Sequence, residues 1–262
     1  MHMPHGRNSV TGITRADDIP VTLLGTAPAL IVRPEGEPRA GLVWYHGLGV
    51  SKETHLPELE RFARAGILAV GIDAAGHGER RLPDFEERFA PPREVIEPRL
   101  HQLVNESVAE IPSIVDALGV ERVALCGISF GGFIAYRGAA RDPRIVAAVS
   151  LLGSPDPSLA DEYYPTALLS LTCERDENVP PDAARAFHRA LEPRYAEAPE
   201  RLRYHEYPGE THFFTPQAWE DAMERTIAWV LRFAPAPATP NARGGSCGCR
   251  RKSGDCGHRT PN

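Results

Sequence analysis

The sequence has little of what a membrane-spanning, nucleic-acid-binding or exported chain requires. No apolar run approaches the length of a membrane span. The segment from Met1 to Thr14 has no apolar core, so we expect no secretory signal. The 262 residues carry a formal net charge of −6, which argues against a nucleic-acid or anionic-membrane partner. We therefore expect a cytoplasmic protein.

Cysteine is also sparse, and its five residues fall into two groups. Cys126 and Cys173 lie in apolar runs, where reduced core thiols are expected. The other three lie with a histidine in a basic C-terminal segment, at Cys247, Cys249, Cys256 and His258. C-x-C followed by C-x-H is not a common zinc pattern, and no apolar residue there supports a core, so we expect no metal.

Short apolar runs recur along most of the chain, and the middle ones are continuous rather than alternating. Such runs are typical of strands covered by helices on both faces. The predicted strands are Val21–Leu24, Ala29–Val32, Gly41–Tyr45, Ile67–Ile72, Arg122–Cys126, Val146–Leu152, Leu168–Thr172 and Arg203–Tyr207.

Helical patterns separate these runs. The predicted helices are Leu56–Ala65, Arg99–Leu118, Ser129–Arg141, Asp182–Glu192 and Pro216–Phe233. The alternation predicts an α/β fold with a mostly parallel sheet. We expect one domain over 15–233 and a flexible proline- and glycine-rich tail over 234–262. Ligands of such folds bind beyond the carboxyl ends of the strands.

The most informative motif is G-x-S-x-G at Gly127-Ile128-Ser129-Phe130-Gly131, between a predicted strand and a predicted helix. This setting is typical of a nucleophile elbow, in which a tight turn holds the serine hydroxyl above the sheet. A helix N-terminus also leaves backbone N–H groups free beside the serine. Ser129 is therefore the candidate nucleophile.

A serine nucleophile needs a histidine base and a carboxylate that orients the base, and both follow the serine in this kind of fold. Asp176 stands just past a predicted strand, with Glu174 and Glu177 as nearby alternatives. His212 lies in the loop after the last predicted strand. Its rival His205 lies inside that strand, where a side chain points away from the sheet's end.

Two more glycine-rich turns follow predicted strands. In His46-Gly47-Leu48-Gly49, the N–H of Leu48 is predicted to form an oxyanion hole with the N–H of Phe130. His46 itself is expected to be a structural hydrogen-bonding group. In the turn from Asp73 to Gly78, we expect Asp73 and His77 to hold the backbone rather than to react.

Taken in order, these motifs resemble the α/β-hydrolase superfamily over about 21–233. They are His46-Gly47, Asp73-x-x-Gly-His-Gly, Gly127-x-Ser129-x-Gly131-Gly132, Asp176-x-x-Val179-Pro180 and Gly209-x-x-His212. Within it the chain looks most like small bacterial carboxylesterases of the dienelactone-hydrolase and prolyl-oligopeptidase-like group. Dienelactone hydrolases proper use a cysteine where this chain has Ser129.

The resemblance implies an eight-stranded sheet and cofactor-free hydrolysis of small, short-acyl carboxylic esters by Ser129, Asp176 and His212. It also implies no large helical cap, because the segment 153–165 is too short for one. A thioesterase or peptidase on the same three residues is an open alternative, and a non-catalytic ligand-binding protein is a further one.

Apolar residues around the predicted site are candidates for substrate binding. Phe213 and Phe214 follow His212 directly. Leu82, Phe85 and Phe89 lie in the charged, proline-rich stretch 79–98, which is predicted either to fold over the site as a partial lid or to be a surface loop packed on the domain.

Overall fold

The computed structural model describes residues 19–90 and 92–236. Within them, eight strands form a single sheet. The strands are β1 Val21–Leu24, β2 Ala27–Val32, β3 Ala40–Tyr45, β4 Ile67–Ile72, β5 Val123–Ile128, β6 Ile145–Leu151, β7 Ala167–Cys173 and β8 Leu202–Tyr207. Each lies where the apolar runs predict a strand, with ends that differ by no more than a few residues.

The strand order is β1-β2-β4-β3-β5-β6-β7-β8. β1 and β2 form an antiparallel hairpin, and β2 pairs antiparallel with β4. All pairs from β4 to β8 are parallel. The carboxyl ends of β3 to β8 therefore meet at one edge of the sheet, which confirms the predicted mostly parallel sheet.

The described residues contain six α-helices, five between strands and one after β8. They are α1 Leu56–Arg64, α2 Phe85–Phe89, α3 Arg93–Leu118, α4 Phe130–Gly138, α5 Asp182–Leu191 and α6 Pro216–Phe233. The short α2 was not predicted, and α3 begins at Arg93 instead of Arg99. Pro98 masked that beginning, yet α3 runs through both Pro98 and Pro112. Each proline removes one N–H donor and crowds the carbonyl four residues earlier, but the helix continues through both positions.

Side chains of each central strand divide between two cores, one on each face of the sheet. In β3, Val43 and Tyr45 belong to the first core, and Leu42 and Trp44 belong to the second. This alternation follows from the two-residue period of a strand. Helices α3, α4 and α5 cover the first face, and α1 and α6 cover the second.

The chain between β6 and β7 contains only a short 3-10 helix, Pro157–Glu162, so no helical cap is inserted there. None of the helices in the described residues is both long and apolar enough to span a membrane.

Ordered contacts continue slightly past α6. Ala234 is fully buried, and the Ala236 N–H donates to the Arg39 carbonyl oxygen at 2.7 Å. The remainder of the predicted tail, including Cys247, Cys249, Cys256 and His258, lies outside the described residues. The division at residue 233 therefore stays a prediction.

The turn between β5 and α4 forces Ser129 into an unusual backbone conformation, with φ of 53° and ψ of −115°. A non-glycine residue rarely adopts a positive φ, and such a conformation persists only where the surroundings impose it. Here the Ser129 N–H donates to the Leu151 carbonyl at 2.7 Å, and its own carbonyl accepts from the Phe133 N–H.

Gly131 is required because α4 begins directly against the end of β3. A Cβ atom at Gly131 would collide with the carbonyl oxygen of Tyr45. The carbonyl of Tyr45 belongs to the backbone and cannot rotate away like a side chain. The collision could be relieved only by moving α4 away from the sheet.

We therefore expect Gly131→Ala to lower the free energy of unfolding by about 3 kcal/mol or more. Urea unfolding followed by circular dichroism measures this. Gly41→Ala is the matched control, because its Cβ would meet nothing closer than Val123 Cγ2 at 3.8 Å. Equal stability of the two variants would contradict the close approach of α4 to β3.

A hydrogen-bonded chain of polar groups is buried under α5. Tyr136 Oη donates to Ser170 Oγ, and Ser170 Oγ lies 2.6 Å from His188 Nε2. Because the Ser170 oxygen already accepts from Tyr136, its own hydrogen is directed to His188, which is the acceptor. Burial lowers the pKa of His188 from 6.5 to about 4.

This burial makes the fold sensitive to acid. Between pH 6.5 and about 4 the unfolded chain binds a proton at residue 188 that the folded chain does not bind. The free energy of unfolding therefore falls as the pH falls through this window, by up to about 3 kcal/mol for this residue. His188→Gln keeps a hydrogen-bond acceptor and removes the titration, so we expect its loss of stability to be smaller. Urea midpoints from about pH 7.5 to about pH 4.5 measure the difference, and parallel curves for both proteins would refute it.

Candidate active site

Three of the predicted site residues form one hydrogen-bonded row at the carboxyl edge of the sheet. Ser129 Oγ lies 2.9 Å from His212 Nε2, and His212 Nδ1 lies 2.7 Å from Asp176 Oδ2. A carboxylate can only accept, so Nδ1 carries the hydrogen and Nε2 is left to accept the serine proton. The structure thus brings together a hydroxyl, an imidazole and a carboxylate that are distant in sequence.

Asp176 is almost fully buried just past β7, and each of its carboxylate oxygens has a partner. Oδ1 accepts the backbone N–H groups of Asn178 at 2.9 Å and Val179 at 2.7 Å, while Oδ2 accepts from His212. These bonds fix the carboxylate in one orientation. Glu174, an alternative from the sequence, instead accepts the Gly209 N–H at 2.7 Å.

The loop that carries His212 is braced by one carboxylate. Glu210 accepts hydrogen bonds from the backbone N–H and the hydroxyl of Thr215, each at 2.7 Å. The Thr215 hydroxyl oxygen in turn accepts the Ala218 N–H and caps α6. The rival histidine, His205, remains in β8 with its ring against Tyr207 and has no bond to Ser129.

A buried polar network supports the backbone on the other side of Ser129. His46 Nδ1 donates to the Gly47 carbonyl at 2.7 Å, and its Nε2 accepts the Ala74 N–H at 3.1 Å. Burial lowers the pKa of His46 from 6.5 to about 4, so the ring is neutral near pH 7. As expected, His46 holds the turn at Gly47 and does not contact Ser129 as a base.

The turn after β4 is tied to the same network through Asp73. Its carboxylate accepts the backbone N–H groups of Lys52 at 2.9 Å and Glu79 at 3.0 Å. Lys52 Nζ, also buried, lies 2.9 Å from Asp73, 2.8 Å from Glu79 and 2.7 Å from Glu53. Burial alone would lower the pKa of Lys52, but the hydrogen bonds to Glu53, Glu79 and Asp73 outweigh it and raise the pKa.

A cavity of about 800 Å³ opens beside Ser129 and His212. Its walls are mostly apolar and include Leu48, Ile96, Leu100, Phe133, Val179 and Phe213. Glu97 and Glu177 are its carboxylate-bearing residues, and no lysine or arginine lines it among the residues that the structure describes. Ser170 and His188 do not line it either.

Four of the predicted pocket residues do not line this cavity. Phe85 is buried, with its ring centroid 4.9 Å from that of His77 and 4.6 Å from that of Phe89. Leu82 and Phe89 pack against the first core. Phe214 lies against Tyr207 and Trp219 in the second core. Leu82, Phe89 and Phe214 bury apolar surface against the cores, and Phe85 buries its ring against His77 and Phe89, so none of the four lines the cavity. These contacts fit the alternative of a loop packed on the domain, and the partial lid stays a prediction.

Ile96 and Leu100 line the cavity from the first turns of α3, although the sequence did not point to them. They are spaced four residues apart and so share one face of a helix. That spacing was a readable signal, but it was hidden because the helix was predicted to begin only at Arg99. Of the predicted pocket residues, Phe213 does line the cavity.

Comparison with known proteins gives the same fold. A solved structure from Thermus thermophilus, TT1662, is 26% identical, with a TM-score of 0.64 over 81% of this chain and 97% of that chain. A structure assigned to the dienelactone hydrolases, from Klebsiella pneumoniae subsp. pneumoniae MGH 78578, is 20% identical, with a TM-score of 0.61 over 79% of this chain and 93% of that chain.

One of the relatives by sequence is an esterase. Esterase YjfP of Escherichia coli (strain K12) is 26% identical over 59% of this chain and 63% of its own length. The chain spans less than two thirds of the length of the curated relatives that it matches. The sequence model of the alpha/beta hydrolase family matches residues 42–253. The chain therefore belongs to the alpha/beta hydrolase family, as its motifs predicted.

Proposed function

We propose that this protein hydrolyses small, short-acyl carboxylic esters, with Ser129 as nucleophile, His212 as general base and acid, and Asp176 as the group that orients His212. The observation that carries the proposal is the hydrogen-bonded row from Ser129 through His212 to Asp176 at the wall of an apolar cavity. A cavity of about 800 Å³ has the size of a small-molecule site.

In the first half of the reaction, Ser129 Oγ attacks the ester carbonyl carbon while its proton passes to His212 Nε2. The carbonyl oxygen becomes an oxyanion. When the tetrahedral intermediate collapses, the bond to the alcohol oxygen breaks and His212 gives its proton to that oxygen. The alcohol leaves, and the acyl group remains on Ser129.

In the second half, water attacks the acyl carbon and His212 accepts its proton. The bond to Ser129 Oγ then breaks, and the proton returns to Ser129. The sum is ester plus water to carboxylic acid plus alcohol. Every proton is carried by His212, so no cofactor is needed for the balance.

The oxyanion is proposed to accept hydrogen bonds from the backbone N–H groups of Leu48 and Phe130. Phe130 is the first residue of α4, so its N–H has no acceptor within the helix. Leu48 lines the cavity directly after Gly47, where an added Cβ atom would lie 4.0 Å from Ser129 Cβ. Each donor contributes about 3 kcal/mol to transition-state stabilisation in comparable enzymes.

The charges of the cavity favour an ester over an acyl-CoA thioester. The phosphates of coenzyme A are anionic and need cationic partners, whereas Glu97 and Glu177 line this cavity. A peptidase would use the same three residues. A purely ligand-binding role would not need Ser129, His212 and Asp176 in a single hydrogen-bonded row.

We expect Ser129→Ala to lower kcat on p-nitrophenyl esters at least about a thousandfold while the protein stays folded. The panel runs from acetate to palmitate, with p-nitroanilides and acyl-CoA thioesters in parallel. Activity should peak at short acyl chains, and a fluorophosphonate probe should label the wild-type protein but not the variant. Ser170→Ala is the matched control, since that serine also bonds a histidine but does not line the cavity.

Retained ester hydrolysis in a folded Ser129→Ala protein would refute the proposal. Turnover of anilides or thioesters in preference to esters would replace it with a peptidase or a thioesterase. Labelling that depends on Ser170 instead would move the nucleophile away from the cavity.

A further inference from the structure

Among the large hydrophobic residues that the structure describes, Phe213 has the most exposed side chain. It is 80% exposed, although it follows His212 directly and lines the same cavity. Its ring stands perpendicular to the His212 imidazole, with 5.8 Å between the ring centroids. The neighbouring Phe214, in contrast, packs into the second core. Phe213 therefore presents an aromatic face at the site without supporting the fold.

The backbone of this loop is held on both sides of His212. The Phe213 N–H donates to Thr211 Oγ1 at 3.4 Å, and the Thr211 hydroxyl donates to the Phe213 carbonyl at 3.3 Å. Two residues further on, Thr215 is bound twice by the Glu210 carboxylate. Because these bonds order the loop before any ligand arrives, Phe213 can contact a ligand at little cost in conformational entropy.

The chemistry decides which part of a substrate Phe213 would meet. His212 Nε2 must give a proton to the alcohol oxygen, so that oxygen comes within about 3 Å of Nε2. The carbon atoms attached to it then lie in the cavity beside the His212 ring, whose centroid is 5.8 Å from that of Phe213. Val179, whose N–H donates to the carboxylate that holds His212, is a second apolar residue in the cavity lining.

We propose that Phe213 forms the leaving-group side of the cavity and that the preferred substrates are esters of bulky apolar alcohols, including those with an aromatic ring. This proposal rests on the proposed ester hydrolysis. The alcohol portion of the substrate covers the exposed apolar area of Phe213. This burial contributes binding energy in the complex and in the transition state of acylation, because the alcohol is still attached in both.

The test compares the butyrate esters of 3-phenyl-1-propanol and 1-propanol. Both esters form the same butyryl-enzyme, so a difference in kcat/KM reports only the steps in which the alcohol is still attached. We expect wild-type kcat/KM to be at least about tenfold higher for the phenylpropyl ester. Phe213→Ala should lower this ratio about tenfold, and Phe213→Leu should give an intermediate ratio.

Leu23→Ala is the matched control. Leu23 is another exposed apolar residue, at 66%, but it lies on the edge strand β1 and does not line the cavity. Its removal should leave the ratio at the wild-type value. The ratio also serves as an internal control, because any general loss of active protein cancels between the two esters.

A second measurement uses the reverse of the leaving-group step. With p-nitrophenyl butyrate as donor, added 3-phenyl-1-propanol should intercept the butyryl-enzyme and form phenylpropyl butyrate, and Phe213→Ala should lower the yield relative to hydrolysis. An unchanged ester ratio and an unchanged yield in Phe213→Ala, with both esters hydrolysed, would overturn the role of Phe213 alone. Absence of Ser129-dependent turnover of either ester by folded wild-type protein would overturn the proposed function as well.

Discussion

The structure depends on the close approach of three backbone segments around Ser129. The first turn of α4 touches the end of β3 at Gly131 and the end of β6 at Gly132, where added Cβ atoms would meet the Tyr45 and Leu151 carbonyls. Only glycine permits these contacts. They hold Ser129 at a positive φ and bring the end of β3, with the turn that follows it, next to the serine. One steric constraint thus positions both the hydroxyl and the predicted oxyanion-binding backbone.

The turns after β3 and β4 lie beyond the hydrogen-bonded ladder of the sheet. Buried polar side chains bind their backbone N–H groups instead. His46 accepts from Ala74, Asp73 accepts from Lys52 and Glu79, and the Lys52 ammonium balances the buried carboxylate. Burying a charge without a partner costs several kcal/mol, so these groups tolerate little change. His46 and Asp73 are of the residue types found in catalytic sites, but here they hold the backbone of the turns beside the site.

The sequence was sufficient for the strands and for the row of Ser129, His212 and Asp176. Short continuous apolar runs bounded by turn residues are typical of strands covered on both faces, and the carboxyl ends of parallel strands meet at one edge. Helix α3 was harder to predict, because Pro98 carries a local helix penalty and the helix nevertheless begins five residues before it, at Arg93. Local propensity is a weak guide where tertiary contacts decide.

The cavity lining was the least predictable part for a related reason. Phe85 and Phe213 are both aromatic, and both follow motifs of the predicted site. Phe85 is buried between Arg81 and His77, whereas Phe213 lines the cavity. Which of them reaches a ligand depends on side-chain packing between segments that are distant in sequence. Sequence spacing does not reveal such packing. Phe213 could be predicted near the site only because it follows His212 directly.

The two hydrogen-bonded serine–histidine pairs in the described residues differ in their surroundings more than in their distances. Ser170 and His188 are 2.6 Å apart, closer than Ser129 and His212 at 2.9 Å. However, burial lowers the pKa of His188 to about 4, which makes its ring a poor proton acceptor. His212 has what that pair lacks, namely the Asp176 carboxylate on Nδ1 and an open cavity at Nε2. A serine becomes a nucleophile through the stabilisation of the imidazolium that receives its proton, and the carboxylate provides that stabilisation at only one of these pairs.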